Sequence, residues 1–243
     1  MQWLKLRNNT ALHTKKEDKY EVKDYVAQII GEDYIIPTIG VWDKFDDIEF
    51  ECLPDQFVLK CTHDSGGLVI CKDKKQLNKT SAKKKIEKSL KKNYYWAGRE
   101  LQYKNVKPRI IAEPYLEDSE FGELRDYKFF VFNGKCKLLY IASDRGNEKE
   151  ETKFDFFDDN FTHLDFTNGH PNSKILPSKP LNFEKMKSMA ELLAKGFPHL
   201  RVDFYEVNGK VYFGELTFSH WSGLIPFEPE EWDYKLGDWL ILN

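Results

Sequence analysis

Residues 57–67 read Phe57-Val58-Leu59-Lys60-Cys61-Thr62-His63-Asp64-Ser65-Gly66-Gly67, an apolar run that carries one lysine and leads into a loop with adjacent glycines. A lysine among apolar strand residues is costly to bury unless it points into a polar site. Adjacent glycines let backbone N–H groups approach an anion closely. The stretch therefore indicates either a phosphate-binding strand and loop or a half-buried strand whose lysine faces water.

The composition narrows the class of protein. The chain has 243 residues, of which 41% are hydrophobic and 32% charged, and its formal net charge is -3. These values are typical of a globular protein and do not support binding to nucleic acid through overall charge. No apolar run approaches the ~20 residues that span a bilayer, and residues 1–7 lack an apolar signal segment. We therefore expect a cytoplasmic protein.

The four cysteines are Cys52, Cys61, Cys71 and Cys136, and no two of them form a CxxC pair. No histidine stands near them at metal-site spacing. They are expected to be small buried hydrophobic residues in a reducing compartment.

The remaining chain alternates between helical and strand patterns. Apolar spacing predicts helices over 15–31, capped by Gly31, and over about 183–195, ending at Gly196. Strands are predicted over 57–61, 68–72 and 108–116, and hairpins over 127–132 with 135–141 and over 201–207 with 211–217. Residues 145–180 are polar and are expected to be loop-rich. This mixture of hairpins and separate helices indicates an α+β fold.

A basic segment follows the first strands. Ten lysines fall between Lys72 and Lys92, and Ser81 is predicted to cap a helix that ends near Lys92. The segment is either a solvated helix face or a docking face for anionic lipid or glycan. Peripheral contact with the inner face of a membrane is therefore one interpretation of residues 72–92.

The last predicted hairpin carries candidate magnesium ligands, Asp203 and Glu215, with Thr217 nearby. Magnesium prefers oxygen ligands and is commonly held by one or two carboxylates together with phosphate oxygens. A two-residue turn at Asn208-Gly209 would place the two carboxylates on opposite faces of the hairpin. Metal binding therefore predicts a three-residue loop in which Gly209 forms a bulge. Exposed acidic residues on a sheet edge are the alternative.

Two further stretches carry candidate ligand-binding residues. Residues 110–116 are extended and end in a possible hinge, whose backbone could pair with a purine edge while apolar side chains enclose the ring. Lys128 is a second cation inside an apolar strand, so Lys60 and Lys128 could hold one triphosphate together. A surface position on a strand is the alternative for each lysine.

The common signatures GxxxxGK[ST], GxGxxG, HExxH and GxSxG are absent. The order of the features is nevertheless informative: a lysine strand with a glycine loop, a Glu-Pro hinge, a second lysine strand and an acidic hairpin. In this order the chain resembles the ATP-grasp superfamily, and in particular the TupA-like ATP-grasp family, which is associated with bacterial teichuronopeptide and capsular polysaccharide synthesis. The resembling stretches lie within residues 15–240.

The resemblance implies a role for each matching residue. Lys60 and Lys128 would contact ATP phosphates and, with Arg201, act in catalysis. A lid over the phosphates would be formed by Ser65, Gly66 and Gly67, and the adenine site would be lined by Glu113, Pro114, Tyr115 and Leu116. Magnesium would be held by Asp203, Glu215 and Thr217. The superfamily usually has Glu-x-Asn at this hairpin, often followed by Arg; here Thr217 stands in place of Asn, no Arg follows, and His220 or Arg201 is the candidate substitute.

The resemblance also implies an architecture and a reaction. Two α+β subdomains would enclose the nucleotide, with a short helical N-terminal segment over 1–52, a subdomain with the glycine loop over 53–112 and a C-terminal subdomain over 113–243. ATP and Mg²⁺ would drive ligation of a carboxylate, on a glycan or sugar-acid acceptor, to an amine through an acyl phosphate. Two alternatives stay open: a kinase-like or glycosyltransferase activity on a capsular glycan, and a non-catalytic nucleotide-binding or glycan-binding module.

Overall fold

The computed structural model describes residues 1–7, 10–145 and 150–242. Its helices are Gln2–Arg7 (α1), Ala11–Glu17 (α2), Val22–Ile30 (α3), Lys79–Leu90 (α4), Tyr95–Gly98 (α5), Phe183–Leu193 (α6) and Glu231–Asp238 (α7). Its strands are Gly40–Trp42 (β1), Phe57–Cys61 (β2), Leu68–Cys71 (β3), Ile110–Pro114 (β4), Asp126–Phe132 (β5), Lys135–Ser143 (β6), Lys153–Asp158 (β7), His163–Leu164 (β8), His199–Val207 (β9) and Lys210–Thr217 (β10). Within these ranges, no helix combines the length and the apolar character needed to cross a membrane.

The chain forms two compact units. One contains Trp3–Tyr25 and Ile35–Leu116, and is called the lysine-loop unit below. The other contains Met1–Gln2, Val26–Tyr34 and Glu117–Asn243, and is called the hairpin unit. The functional division into 1–52, 53–112 and 113–243 stays a prediction, because compactness alone assigns no role to a segment.

The lysine-loop unit is built on a four-stranded sheet in the order β1-β4-β2-β3, with antiparallel neighbours throughout. Because side chains alternate along a strand, Phe57, Leu59 and Cys61 share one face of β2. That face packs against Ala82 and Ile86 of α4 and forms the apolar core of the unit. Lys60 therefore lies on the face turned away from this core.

The hairpin unit contains a six-stranded antiparallel sheet in the order β10-β9-β5-β6-β7-β8. One face packs against α6, where the ring of Phe129 lies 6.0 Å from Phe183 and 6.1 Å from Phe204. On the other face an aromatic cluster includes Phe130 and Tyr140. Alternation along β5 places Lys128 on the same face as Phe130.

Several local predictions were wrong. The helix predicted over 15–31 is broken between α2 and α3, because the Asp18 carboxylate accepts the amides of Tyr20 and Glu21. The described part of residues 145–180 is rich in loops as predicted, but it also contains β7 and β8, which were not predicted. The cap of α4 is Asn78, whose side chain accepts the Ser81 amide, and the helix ends at Leu90 rather than near Lys92.

The cysteine prediction was confirmed at three of four positions. Cys61, Cys71 and Cys136 are buried, whereas Cys52 is exposed. Burial raises the pKa of both the Cys61 and Cys136 thiols to about 12. Because the thiolate is the reactive form, these two cysteines are inert packing residues at neutral pH.

The fold contains an acid-sensitive histidine. His199 is 3% exposed, and its ring lies 4.6 Å from Phe132 and 5.9 Å from Phe130. Burial lowers its pKa to about 3. The unfolded chain binds a proton at this histidine near pH 6.5, but the folded chain does not until about pH 3. The free energy of unfolding therefore falls as the pH drops through this window.

We expect this histidine to lower the free energy of unfolding by about 2 kcal/mol between pH 7 and pH 5. Urea denaturation at several pH values measures the slope. His199→Phe keeps an aromatic ring in the same environment and should reduce the slope by about 1.4 kcal/mol per pH unit below pH 6. An unchanged slope in the variant would show that His199 is not the group responsible.

Candidate functional site

The β9–β10 hairpin, which carries the two predicted metal ligands, has a tighter turn than predicted. Val207 pairs with Lys210, so the turn has only two residues, Asn208 and Gly209, with φ of 50° and 76°. These positive φ values are those of a tight hairpin turn. The predicted three-residue loop with a bulge at Gly209 was therefore wrong.

A bulge at Gly214 brings Asp203 and Glu215 together instead. Phe213 pairs with Phe204, whereas Glu215 pairs with Asp203, so one extra residue is inserted into β10. The insertion moves Glu215 to the face that Asp203 occupies. A Cβ at Gly214 would lie 3.1 Å from the Asp203 carbonyl oxygen, which makes the position tight for any larger residue.

The pairing of β5 extends this arrangement across a third strand. Lys128 lies directly opposite Asp203, which in turn lies opposite Glu215. Arg201 and Thr217 form the neighbouring pair on the same face. All five predicted site residues of the hairpin unit are therefore on one face of its sheet.

Asp203 is the centre of this group. Its side chain is 1% exposed, and its two oxygens accept hydrogen bonds of 2.8 Å from Nε and Nη2 of Arg201. Oδ2 also accepts from Lys128 Nζ at 2.5 Å. Burial alone would raise the pKa of Asp203, but the two cations outweigh it and hold that pKa below its usual value. Asp203 is therefore ionised at neutral pH.

Lys128 is held between two acidic residues. Its Nζ lies 3.3 Å from Asp126 Oδ1 in addition to its bond with Asp203, and Arg145 also pairs with Asp126. Burial alone would lower the pKa of Lys128, but Asp203 raises it above its usual value. Lys128 is not a surface lysine, because only 10% of its side chain is exposed.

Arg201 is fixed from several directions. Besides Asp203, it contacts Thr217 Oγ1 through Nη2 at 2.8 Å and His220 Nδ1 through Nη1 at 2.6 Å. A guanidinium has five N–H groups, so these contacts engage four and leave one. In this structure Arg201 therefore mainly holds Asp203 and Thr217 in place, and one of its N–H groups is left for a ligand.

A buried chain of side chains sets the tautomer of His220. The Asn168 side-chain nitrogen donates to the carbonyls of Ile225 and Pro226 at 3.1 and 2.9 Å, so its oxygen faces His220. That oxygen lies 2.8 Å from His220 Nε2, which must carry the proton. Nδ1 is then the acceptor for Arg201. Burial, with the Arg201 cation, holds the pKa of His220 well below its usual value, which keeps the ring neutral.

The donor set of the hairpin unit fits magnesium held jointly with phosphate. Glu215 is partly exposed, with 32% of its side chain accessible, and Asp203 Oδ1 accepts one hydrogen bond and so retains a lone pair. Across residues 1–7, 10–145 and 150–242, no group of three or more His, Cys, Asp or Glu side chains could hold a metal ion. Two carboxylates suit Mg²⁺, which commonly takes its other ligands from phosphate and water. Thr217 already accepts from Arg201 and is the weakest of the three predicted ligands.

The lysine-loop unit has its own charged cluster. Lys60 pairs with Ile111 and Val58 pairs with Glu113, so Lys60 and Glu113 are diagonal neighbours on one face. Lys60 Nζ lies 2.5 Å from Glu113 Oε2, and Lys23 Nζ lies 2.6 Å from Glu113 Oε1. The alternative of a lysine that only faces water does not hold for Lys60, whose side chain is 25% exposed.

Glu113 is ionised between these two lysines. Burial alone would raise its pKa, but Lys60 and Lys23 lower it below the usual value. Burial lowers the pKa of Lys23 despite the opposing effect of Glu113. Lys23 was missed in the sequence because it lies 90 residues from Glu113 and only the tertiary fold brings them together.

Exposed apolar side chains lie on the same sheet face as this cluster. Ile70 pairs with Val58 and Leu68 pairs with Lys60, so both share the face of Lys60. Ile70 is 54% exposed and Leu68 36%, which leaves apolar surface next to a cation and a carboxylate. Pro114 ends β4, and Tyr115 and Leu116 follow it as half-buried residues. Such a face is suited to a planar ring that carries an anionic group.

The glycine loop is anchored by Asp64. The buried Asp64 carboxylate accepts the Gly67 amide at 3.2 Å and the hydroxyl of Ser89. A Cβ at Gly67 would lie 2.6 Å from both Cys61 Sγ and Ser89 Oγ, so the need for glycine there is steric. Only Ser65 and Gly66 of the three predicted lid residues are exposed.

Comparison with known proteins identifies the family. The sequence model of the TupA-like ATPgrasp family matches residues 1–241. No curated protein matches the chain. Similar solved structures include D-alanine–D-alanine ligase from Bacillus anthracis complexed with ATP, with 17% identity over 83% of this chain and 53% of that chain and a TM-score of 0.47. The ATP-grasp ligase PsnB complexed with minimal precursor, Mg and ADP shares 9% identity over 88% of this chain and 54% of its own, with a TM-score of 0.47.

D-cycloserine synthetase DcsG shares 14% identity over 83% of this chain and 62% of its own, with a TM-score of 0.45. The present chain thus spans a little over half the length of these structures. The family match covers nearly every residue, and with it the α+β architecture is an ATP-grasp fold. The chain belongs to the TupA-like ATP-grasp family.

Proposed function

We propose that this protein is an ATP- and Mg²⁺-dependent ligase that joins a carboxylate to an amine. The observation that carries the proposal is the row of Glu215, Asp203 and Lys128 on one sheet face, with Arg201 beside it. In this arrangement, two carboxylates suited to a divalent cation stand next to two cations suited to phosphate. The family match over residues 1–241 supports the same conclusion.

The lysine-loop unit would bind the nucleotide through its apolar strand face. Lys60 supplies a positive charge for the phosphates, and Glu113 orients Lys60 through their 2.5 Å contact. Adenine would pack on the apolar surface near Ile70, with Glu113, Pro114, Tyr115 and Leu116 along its edge. Ser65 and Gly66 are the exposed lid residues and would contact phosphate oxygens. The Gly67 amide anchors their loop to the Asp64 carboxylate.

The hairpin unit would bind the metal and stabilise the reacting phosphoryl group. Asp203 and Glu215 would hold Mg²⁺, with Thr217 as a weaker third ligand, and bound Mg²⁺ would neutralise charge on the β- and γ-phosphates. Lys128 and the remaining N–H of Arg201 would donate to the phosphoryl oxygens as negative charge develops.

The reaction would proceed in two steps. A carboxylate oxygen of the acceptor attacks the γ-phosphorus, the bond to the bridging oxygen breaks, and ADP leaves as an acyl phosphate forms. The amine nitrogen then attacks the acyl carbon, phosphate departs and the nitrogen loses a proton. From the association of the family with teichuronopeptide and capsular polysaccharide synthesis, we infer a glycan or sugar-acid acceptor in cell-surface polysaccharide biosynthesis.

A second candidate is phosphoryl transfer to a hydroxyl of a capsular glycan. It is favoured by the engagement of four N–H groups of Arg201, which leaves no bidentate clamp for an acyl phosphate. Phosphorus NMR of reactions with ATP, sugar-acid acceptors and an amine separates the candidates. A ligase gives ADP and inorganic phosphate, and hydroxylamine traps its intermediate as a hydroxamate. A kinase gives a phosphomonoester, and a non-catalytic module gives neither product.

We expect Lys60→Ala to weaken ATP binding by about tenfold or more, which corresponds to about 1.4 kcal/mol. The reason is the loss of a cation held by Glu113 at the phosphate position. Isothermal titration calorimetry with ATP and Mg²⁺ gives the affinity. Lys84→Ala removes an exposed lysine from α4 of the same unit and serves as the matched control. Equal affinities for both variants would contradict a phosphate-binding role for Lys60.

A further inference from the structure

Five exposed lysines lie on the outer side of α4 and just beyond its end at Leu90. Lys84 and Lys88 lie in α4 and Lys91 is its C-cap residue, and their spacing of four and three residues places the three on one stripe. Lys85 of α4 and Lys92, just after the cap, flank this stripe. All five side chains are exposed. The opposite side of α4 is buried through Ala82, Ile86 and Ser89. These five lysines are called the basic stripe below.

The basic stripe differs in its pairing from the other lysines of the helix. Lys83 Nζ lies 2.6 Å from Asp46 and 3.8 Å from Glu87, and Lys79 lies 3.7 Å from Glu51. Within the part of the chain that the structure describes, no lysine of the basic stripe has an ion pair. Like charges at such spacing repel one another and destabilise a helix slightly. The stripe is thus an uncompensated cationic surface on a chain whose net charge is -3.

An exposed tryptophan follows the basic stripe. Trp96 lies in α5, four residues after Lys92, and is 62% exposed. The Arg99 guanidinium lies 4.4 Å from its ring centroid, and Lys104 Nζ lies 5.5 Å from the ring of neighbouring Tyr95. A large exposed aromatic ring accompanied by cations is the combination found where proteins meet the headgroup region of a bilayer.

We propose that the basic stripe and Trp96 form a docking surface for an anionic lipid bilayer. The lysines are flexible point charges that suit a diffuse layer of headgroups, since each one near such a surface strengthens binding by about fivefold. Trp96 favours a lipid bilayer over a soluble polyanion as the partner. Insertion of its ring into the headgroup region is favourable, whereas a soluble polyanion offers the ring only charge. The surface lies wholly in the lysine-loop unit, and α4 packs on the face of β2 opposite to Lys60 and Glu113.

Vesicle sedimentation tests the electrostatic part. The wild-type chain should bind vesicles of phosphatidylcholine with phosphatidylglycerol and not vesicles of phosphatidylcholine alone, and binding should weaken with added salt. The combined change Lys84→Gln, Lys88→Gln and Lys91→Gln should weaken binding by about a hundredfold. Lys174→Gln, Lys195→Gln and Lys210→Gln remove the same charge from exposed positions elsewhere and should have little effect. Equal losses in the two triple variants would overturn the proposal.

Fluorescence tests the lipid-specific part. Anionic vesicles should shift the tryptophan emission of the wild-type chain to shorter wavelength, and Trp96→Phe should remove that shift. Soluble polyglutamate is the competing probe for a polyanion site. Binding to polyglutamate as tight as to vesicles, with no emission shift from Trp96, would assign the surface to soluble polymers instead. Both measurements use the chain without ATP, so their outcome is independent of the proposed ligase activity.

Discussion

We expect Asp203→Asn to abolish ADP production and to lower the free energy of unfolding by about 3 kcal/mol. Asp203 is 1% exposed and accepts from both Arg201 and Lys128. Asparagine keeps the shape but removes the charge that compensates two buried cations. The loss of one partner from a buried ionic network is costly, because the remaining charges stay out of water without their counter-ion. The same change removes a proposed metal ligand.

Glu215→Gln separates these two effects. Glu215 shares the proposed metal but is one-third exposed, and Arg201 Nη2 is 3.9 Å from its carboxylate. The variant should lose activity and Mg²⁺-dependent ATP binding, while its free energy of unfolding changes by less than about 1 kcal/mol. Urea denaturation and ATP calorimetry with and without Mg²⁺ provide both readouts. If Glu215→Gln binds Mg²⁺-ATP like the wild type, the carboxylate pair does not hold the metal.

The sequence predicts the strands and turns of the hairpin unit better than their register. The hairpin at Asn133-Gly134 has the predicted two-residue turn, because asparagine and glycine accept the positive φ that the turn requires. At Asn208-Gly209 the same signal is present, but the prediction assigned the bulge to the turn. The bulge lies at Gly214, inside the strand, where a glycine between two large residues is the available signal. One misplaced residue inverts the face of every side chain beyond it.

The partners of the site residues were less predictable than the residues themselves. The patterns around Lys60 and Asp203 indicate a ligand because charges stand in apolar strands, which is a local property of the sequence. Lys23 and Asn168 act through contacts with residues 90 and 52 positions away. Nothing in the sequence on either side of Lys23 or Asn168 distinguishes them from surface residues. Such contacts depend on the packed fold and are visible only there.

Asn168→Leu should lower the rate of ADP production by about a hundredfold, although Asn168 contacts none of the reacting groups. The substitution removes the acceptor for His220 Nε2–H and leaves a buried donor unpaired, which costs about 2 kcal/mol of stability. The imidazole can relieve this cost by moving its proton to Nδ1. It then no longer accepts from Arg201, and the guanidinium loses one of its four fixed contacts.

The predicted mechanism has a direct spectroscopic readout. Nitrogen-15 NMR of histidine-labelled protein should show His220 as the neutral Nε2–H tautomer in the wild type and a changed tautomer in Asn168→Leu. Asn168→Asp is the matched variant, because its carboxylate still accepts from Nε2–H but cannot donate to the carbonyls of Ile225 and Pro226. It should lose stability while retaining the tautomer and most of the rate. A purely structural role for Asn168 would instead make rate and stability fall together in both variants, so the separation of the two quantities identifies His220 as the group that positions Arg201.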